Sequence, residues 1–182
     1  MTTRLITEPT SEPVTLAEAK LHLRVDTIDD DARITELITS ARQQAELILK
    51  RSLLPQTWEK TLDAFPSSDI ELLYPSVIAI ESIKYQDLNN NQITLSAANY
   101  YLDKDSEPAW AILAYGYTWP ATLGVANAVR VRYSAGYANT AAVPASIKQW
   151  IKLAVEKLYD TCKDDVPDGF AMALLDRYIV WG

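Results

Sequence analysis

The chain carries one cysteine, Cys162, and one histidine, His22, and each scarcity removes a class of chemistry. A lone thiol cannot close an internal disulfide and fits a reducing compartment. One histidine and one cysteine fall short of a zinc site of ordinary ligand makeup. Any Ser–His or Cys–His nucleophile system would have to recruit His22, which sits between Leu21 and Leu23 with no supporting motif. That setting fits a histidine at a helix surface or boundary. The five glycines (116, 124, 136, 169 and 182) lie far apart, so they build no phosphate-cradling loop. No run of about 18 apolar residues exists, and no membrane-spanning helix is expected. The opening Met1-Thr2-Thr3-Arg4-Leu5-Ile6-Thr7-Glu8 has no apolar core of signal-peptide length. The protein is expected in the cytosol where it is made.

Positive charge is also short. Seventeen Lys and Arg face 24 Asp and Glu, a net charge of −7 over 182 residues. A sequence-independent nucleic-acid binder needs a basic footprint to displace counterions, and the chain as a whole lacks one. Two Phe stand against ten Tyr and five Trp. Such amphipathic rings suit half-wet subunit contacts, or else fill a β-rich core. With 48% hydrophobic and 23% charged residues, the composition is that of a folded globular chain. A chain of this length buries roughly 70% of the surface it exposes when unfolded.

What is present is a strongly marked opening. Residues 1–12 are rich in Thr, Glu and Pro without periodicity, and read as an extended arm. Thr15 and Glu18 form a capping box, which starts a helix expected over about 16 to 24. A second helix is expected from the acidic triplet Asp29-Asp30-Asp31, whose carboxylates can cap free N–H groups and meet the positive end of the helix dipole. Ile34, Leu37, Ile38, Ala41, Ala45, Ile48 and Leu49 form a 3.6-residue apolar stripe. Arg33, Glu36, Arg42, Gln43, Glu46 and Lys50 mostly fall off it, and Pro55 ends any continuation.

From Gln56 the character changes to short β-branched and aromatic runs. Candidate strands are Trp58–Asp63, Ile70–Leu73, Ile80–Tyr85, Gln92–Leu95, Tyr100–Asp103, Ala109–Leu113 and Ala128–Tyr133. Asp87-Leu88-Asn89-Asn90-Asn91 reads as a hairpin loop, since Asn tolerates positive φ. Val129, Val131 and Tyr133 alternate with Arg130 and Arg132, which gives one buried and one wet face. Those arginines near Tyr133 and Tyr137 superficially suggest a nucleic-acid strand, but an ordinary wet sheet face agrees better with the overall acidity.

Pro144 then sits where the first turn of a helix tolerates it. Ile147, Trp150, Ile151, Ala154, Val155 and Leu158 form a second apolar stripe ending near Asp160. Asp164 to Gly169 reads as a polar break and Phe170 to about Tyr178 as a short helix. The expected fold class is α+β: a small helical bundle of two N-terminal and two C-terminal helices with a mainly antiparallel β-rich insertion between them. The divisions are an arm at 1–12, helices at 13–55, the insertion at 56–140 and closing helices at 141–182.

The acidic clusters do not read as metal sites. Asp29-Asp30-Asp31 lacks the alternating spacing of a calcium loop, and helix capping explains it better. Asp164-Asp165-Val166-Pro167-Asp168-Gly169 lacks a bidentate Glu at the right distance and reads as a solvated connection. Two acids converging for glycoside hydrolysis remain formally open in a chain with 24 of them. The end is less ordinary. Tyr178, Ile179, Val180 and Trp181 place large apolar groups where tails are usually polar. They either pack on the chain's own bundle or enter a partner subunit.

Several of these segments, in this order and spacing, resemble the head–tail connector (adaptor, head-completion) proteins of long-tailed bacteriophages and prophages. The similarity lies in Pro13-Val14-Thr15-Leu16-Ala17-Glu18-Ala19-Lys20, in Leu23-Arg24-Val25-Asp26 followed by Asp30-Asp31, and in Arg51. It continues in Gln56-Thr57-Trp58, Phe65-Pro66, Trp119-Pro120 and Val129-Arg130-Val131 with Ala135-Gly136-Tyr137, then Val143-Pro144, Ile147-Lys148 and Leu158-Tyr159. The family shows a more open, glycine-containing hairpin where this chain has Asn89-Asn90-Asn91, and the arm and the segment after Asp160 match less well.

The resemblance implies a structural virion protein without catalysis, cofactor or small-molecule substrate. Its implied partners are the portal protein, neighbouring copies of itself and a stopper or tail-completion protein, with no membrane. It implies a ring of about a dozen copies beneath the portal, through which genomic DNA passes without specific binding. At −7 per copy such a ring gathers on the order of −80 charges, a field that would repel DNA phosphates. The residues assigned to partner contact are Tyr178, Ile179, Val180 and Trp181. The implied location is the head–tail interface of the virion, reached from the host cytoplasm. The alternative is a non-catalytic binding module whose β insertion grips a carbohydrate or peptide; an enzyme with dispersed acids ranks third.

Overall fold

The computed structural model describes residues 2–160 and 168–180. They form a β-rich unit, residues 2–8 with 55–136, and a helical unit, residues 9–54 with 137–180. The class is α+β, with helices and antiparallel sheets segregated along the chain.

The helical unit holds α1 (Leu16–Leu23), α2 (Asp31–Leu49), α3 (Ala145–Tyr159) and the short α4 (Asp168–Ala173), followed by a 3-10 turn at Asp176–Tyr178. The capping box forms as expected. Thr15 Oγ1 accepts from the Glu18 N–H at 3.2 Å, and Glu18 Oε2 accepts from the Thr15 N–H at 2.7 Å. The Thr15 N–H first, and then the Thr15 hydroxyl, which donates to the same Glu18 Oε2 at 2.9 Å, hold the Glu18 carboxyl below its ordinary value. Arg24 and Lys50 close α1 and α2 in left-handed conformations, satisfying carbonyls that the helix leaves free.

The start of α2 differs from expectation. Asp30 occupies the N-cap, yet its side chain makes no capping bond. Its carboxylate instead accepts the Tyr159 hydroxyl at 2.6 Å, while Asp31 accepts Lys20 Nζ at 2.5 Å. Tertiary partners outcompete the local N–H groups here. Asp31 still lies in the first turn, where the helix dipole favours an anion.

Ile34, Ile38, Ala41, Ala45 and Leu49 of α2 are buried with Ile147, Trp150, Ile151 and Val155 of α3, together with Val14, Ala19, Leu53 and Leu54. Burying each large aliphatic side chain is worth about 1.5–3 kcal/mol, so this seam dominates the unit's stability. Two side chains depart from the stripes. Leu158 is 41% exposed, at the wet end of α3, whereas Arg42 is only 2% exposed. The apolar face of α2 is wide enough to enclose Arg42 because Glu12 and Glu46 neutralise it there.

The β-rich unit contains eight strands: β1 (Thr2–Thr7), β2 (Gln56–Leu62), β3 (Ile70–Leu72), β4 (Val77–Gln86), β5 (Gln92–Thr94), β6 (Tyr100–Asp103), β7 (Ala109–Leu113) and β8 (Val129–Ala135). All pairings are antiparallel, in a five-stranded sheet of order β1-β2-β8-β4-β5 and a three-stranded sheet of order β3-β7-β6. Residues 2–7, expected as an unpatterned arm, are the edge strand β1. Every position of β1 is exposed or half-exposed, so no buried face writes an alternation into its sequence.

The two sheets share one core. Val129, Val131, Tyr133 and Ala135 of β8 are buried with Leu62, Ile83, Ile70, Leu72, Ala109 and Ala111. Much of the aromatic excess is spent here: Trp58 stacks on Tyr74 with centroids 4.0 Å apart, and Phe65 on Trp119 at 4.8 Å. Tyr101, Tyr115 and Tyr117 are exposed. The β4–β5 hairpin turns as anticipated. Asp87 Oδ1 accepts the N–H groups of Asn89 at 2.9 Å and Asn91 at 2.8 Å, and Asn90 takes a φ of 65°.

Candidate assembly surfaces

The C-terminal segment lies against its own helical unit. Leu175 and Val180 are buried, and Tyr178 and Ile179 pack on the same core. The Val180 N–H donates to the Leu49 carbonyl at 3.1 Å, and Arg51 Nε donates to the Tyr178 carbonyl at 3.4 Å. Of the four residues assigned to partner contact, Tyr178, Ile179 and Val180 therefore have intramolecular seats. Trp181 lies outside the described residues, as do Cys162 and Asp164 to Pro167. Asp168 and Gly169, read as part of a polar break, begin α4.

Beside that segment runs an apolar groove of about 390 Å³, lined by Ile48, Trp150, Ala154, Leu158, Ala171 and Met172. Leu47 at 76% and Phe170 at 65% exposure add to the apolar surface of this unit. Single exposed apolar residues are ordinary, and the groove is the candidate contact surface of this unit.

The outer face of the five-stranded sheet has the opposite character. The register aligns Arg4 of β1, Glu59 of β2 and Arg132 of β8 in one row. Glu59 is buried and accepts Arg4 Nη2 at 2.6 Å and Arg132 Nη2 at 3.0 Å. Burial raises the Glu59 carboxyl, but the two guanidinium hydrogen bonds and charges outweigh it and hold the group below its ordinary 4.5. In the next row Lys84 of β4 stands opposite Arg130 of β8. Strand alternation reveals Arg130 and Arg132 in the sequence; Arg4 and Lys84 join them only through the register. Lys60 faces the other way, donating Nζ to the Glu71 carbonyl at 2.5 Å. Burial lowers its pKa, and the neighbouring Glu71 carboxylate offsets this in part.

The remaining candidates resolve into structural contacts. His22 Nε2 lies 3.1 Å from Glu156 Oε2, pairing α1 with α3. Among the described residues no group of three or more His, Cys, Asp or Glu side chains is placed to hold a metal ion. No helix among them is long and apolar enough to cross a membrane.

Comparison with known proteins agrees with this architecture. No significant sequence match was found among curated proteins. Among solved structures, the chain is similar to one in the virion of a native gene transfer agent (GTA) particle, at 21% identity and a TM-score of 0.81. It is similar to one in the neck of an empty GTA particle computed with C6 symmetry, at 22% and 0.82, and to one in the neck of a native GTA particle computed with C12 symmetry, at 18% and 0.79. Each superposition covers 100% of this chain and 97% of the other, so the whole fold is shared. The model of the phage gp6-like head–tail connector proteins matches residues 13–106, more than half of the chain, and the protein therefore belongs to the phage gp6-like head–tail connector family.

Proposed function

We propose that this chain is a structural protein of the head–tail interface that assembles as a ring beneath the portal, extends the DNA channel and gives the stopper or tail its docking surface. The observation that carries the reading is the family match over residues 13–106. The full-length similarity to two chains from particle necks, computed with C6 and C12 symmetry, supports a cyclic arrangement. A ring contact is heterologous, so one patch must meet a different patch on the neighbour. The apolar groove lined by α2, α3 and α4 and the charged sheet face are separate candidate surfaces for such contacts. The net charge of −7 per copy suits a channel through which DNA moves without adhering. In this reading Tyr178, Ile179, Val180 and Trp181 are the segment that contacts the portal or a neighbouring copy.

Cryo-electron microscopy of portal-bearing heads incubated with the purified chain tests this. An annulus of added density seated on the portal is the expected result. Heads whose vertices remain bare at saturating protein would overturn it.

A further inference from the structure

Two cations face each other on the outer sheet face without internal purpose. Lys84 and Arg130 are directly opposite across β4 and β8, and both are exposed. Neither side chain makes a hydrogen bond or ion pair among the described residues. Like charges opposite one another on a sheet destabilise it, so folding alone gives no reason for the arrangement. Together with Arg132, Ser82 and Gln92 they line a depression of about 120 Å³ whose one acid, Glu59, is already shared by two arginines. Its lining thus carries three cations to one acid.

The same unit carries the opposite sign on its other side. On the outer face of the three-stranded sheet, Glu71, Trp110 and Asp103 lie in one row across β3, β7 and β6, with the Glu71 carboxylate 3.9 Å from Lys60 Nζ. The loop after β6 carries Lys104, Asp105 and Glu107, all exposed. Because the two sheets share a core, their outer faces point in opposite directions. Copies stacked front to back would bring the basic face of one against the acidic face of the next, a heterologous contact that closes into a ring where the rotation between neighbours divides a full turn.

We propose that the basic sheet face, centred on Lys84 and Arg130, docks on the acidic face of a second copy, centred on Asp105 and Glu107. This rests on the ring reading above and names the surfaces that meet in it. A second copy fits better than DNA, because a chain of net charge −7 repels a polyanion at long range, whereas its own copies carry both signs.

Charge reversal in two separate variants tests the pairing. One carries Lys84→Glu with Arg130→Glu, the other Asp105→Lys with Glu107→Lys, and unchanged thermal melts establish that each is folded. Ring formation is scored by native mass spectrometry and by electron microscopy on portal-bearing heads. Each variant alone should lose roughly tenfold or more of the ring fraction. An equimolar mixture should recover it, since alternating copies restore every contact, and so should the fourfold variant that reverses both faces. Either variant assembling alone as well as the parent overturns the pairing, as does loss without recovery on mixing. A basic-face variant that forms normal rings but alters DNA retention assigns the face to phosphate and overturns the proposal too. If the parent itself forms no ring on heads, the proposed function fails, and this inference with it.

Discussion

Arg42 Nε donates to Glu12 Oε2 across 2.8 Å, joining the middle of α2 to the segment that precedes α1. The guanidinium also donates through Nη1 to Glu46 Oε2 at 2.8 Å, one turn along the helix. Each carboxylate has further duties. Glu12 accepts the Thr39 hydroxyl at 3.0 Å, and Glu46 Oε1 accepts the Leu53 N–H at 2.8 Å. One buried cation thus fixes the chain on both sides of α2.

Removing that cation should be costly. Arg42→Ala strands two partly buried carboxylates, and breaking a buried pair by deleting one partner typically destabilises by about 3–5 kcal/mol. Glu12→Gln, at a more exposed carboxylate, should cost well under half as much. Urea unfolding followed by far-ultraviolet circular dichroism measures both. A loss below about 1 kcal/mol for Arg42→Ala would show that the network adds little to folding.

Glu59 predicts an acid dependence of the β-rich unit. Its folded value lies below the ordinary 4.5 of the unfolded chain. The stabilisation from Arg4 and Arg132 is therefore complete above that unfolded value and is lost as pH falls through the lower, folded one. Glu59→Gln should be less stable than the parent near neutral pH, and the difference should shrink below about pH 4. Denaturation midpoints measured at both pH values decide it; a gap that persists unchanged in acid contradicts the assignment.

The features legible in the sequence were those written locally. A capping box spans four residues and a helical stripe repeats every turn, so α1, α2 and α3 could be read directly, as could the β4–β5 turn. Arg42 could not, because its partner Glu12 is thirty residues away and a charge on a stripe's edge reads as solvated until that partner is known. The strand β1 was invisible for a different reason: it buries neither face, so its residues carry no period. The sheet patch was half legible. Alternation placed Arg130 and Arg132 on one face, but only strand pairing adds Arg4 and Lys84, and only that sum makes the face basic in an acidic chain.

The docked C-terminus predicts the effect of truncation. Deleting Ile179–Gly182 removes Val180, which is buried, and its bond to the Leu49 carbonyl. Losing one buried aliphatic side chain costs about 1.5–3 kcal/mol. The helical unit should remain folded, with a lower thermal midpoint. In the proposed ring, occupancy of the portal should fall as well. A truncated chain that melts like the parent and still seats on portals would remove both the packing and the partner role of this segment.

Tyr133 allows packing and hydrogen bonding to be separated at the centre of the β-rich unit. Its ring is fully buried, and its hydroxyl donates to the Leu73 carbonyl at 2.9 Å. Tyr133→Phe keeps the ring and should cost about 0.5–1.5 kcal/mol, whereas Tyr133→Ala opens a cavity and should cost about 3–5 kcal/mol. Burial, reinforced by Tyr74 and Glu71, drives the phenol far above its ordinary 10. Neutral Tyr133 therefore stabilises the fold fully below that unfolded value, and the advantage is lost as pH rises above it. An ultraviolet titration of the parent should show this tyrosine ionising only with unfolding, and Tyr133→Phe should abolish that late step. A phenol at position 133 that titrates near 10 in the folded protein would mean that the core around β8 admits water.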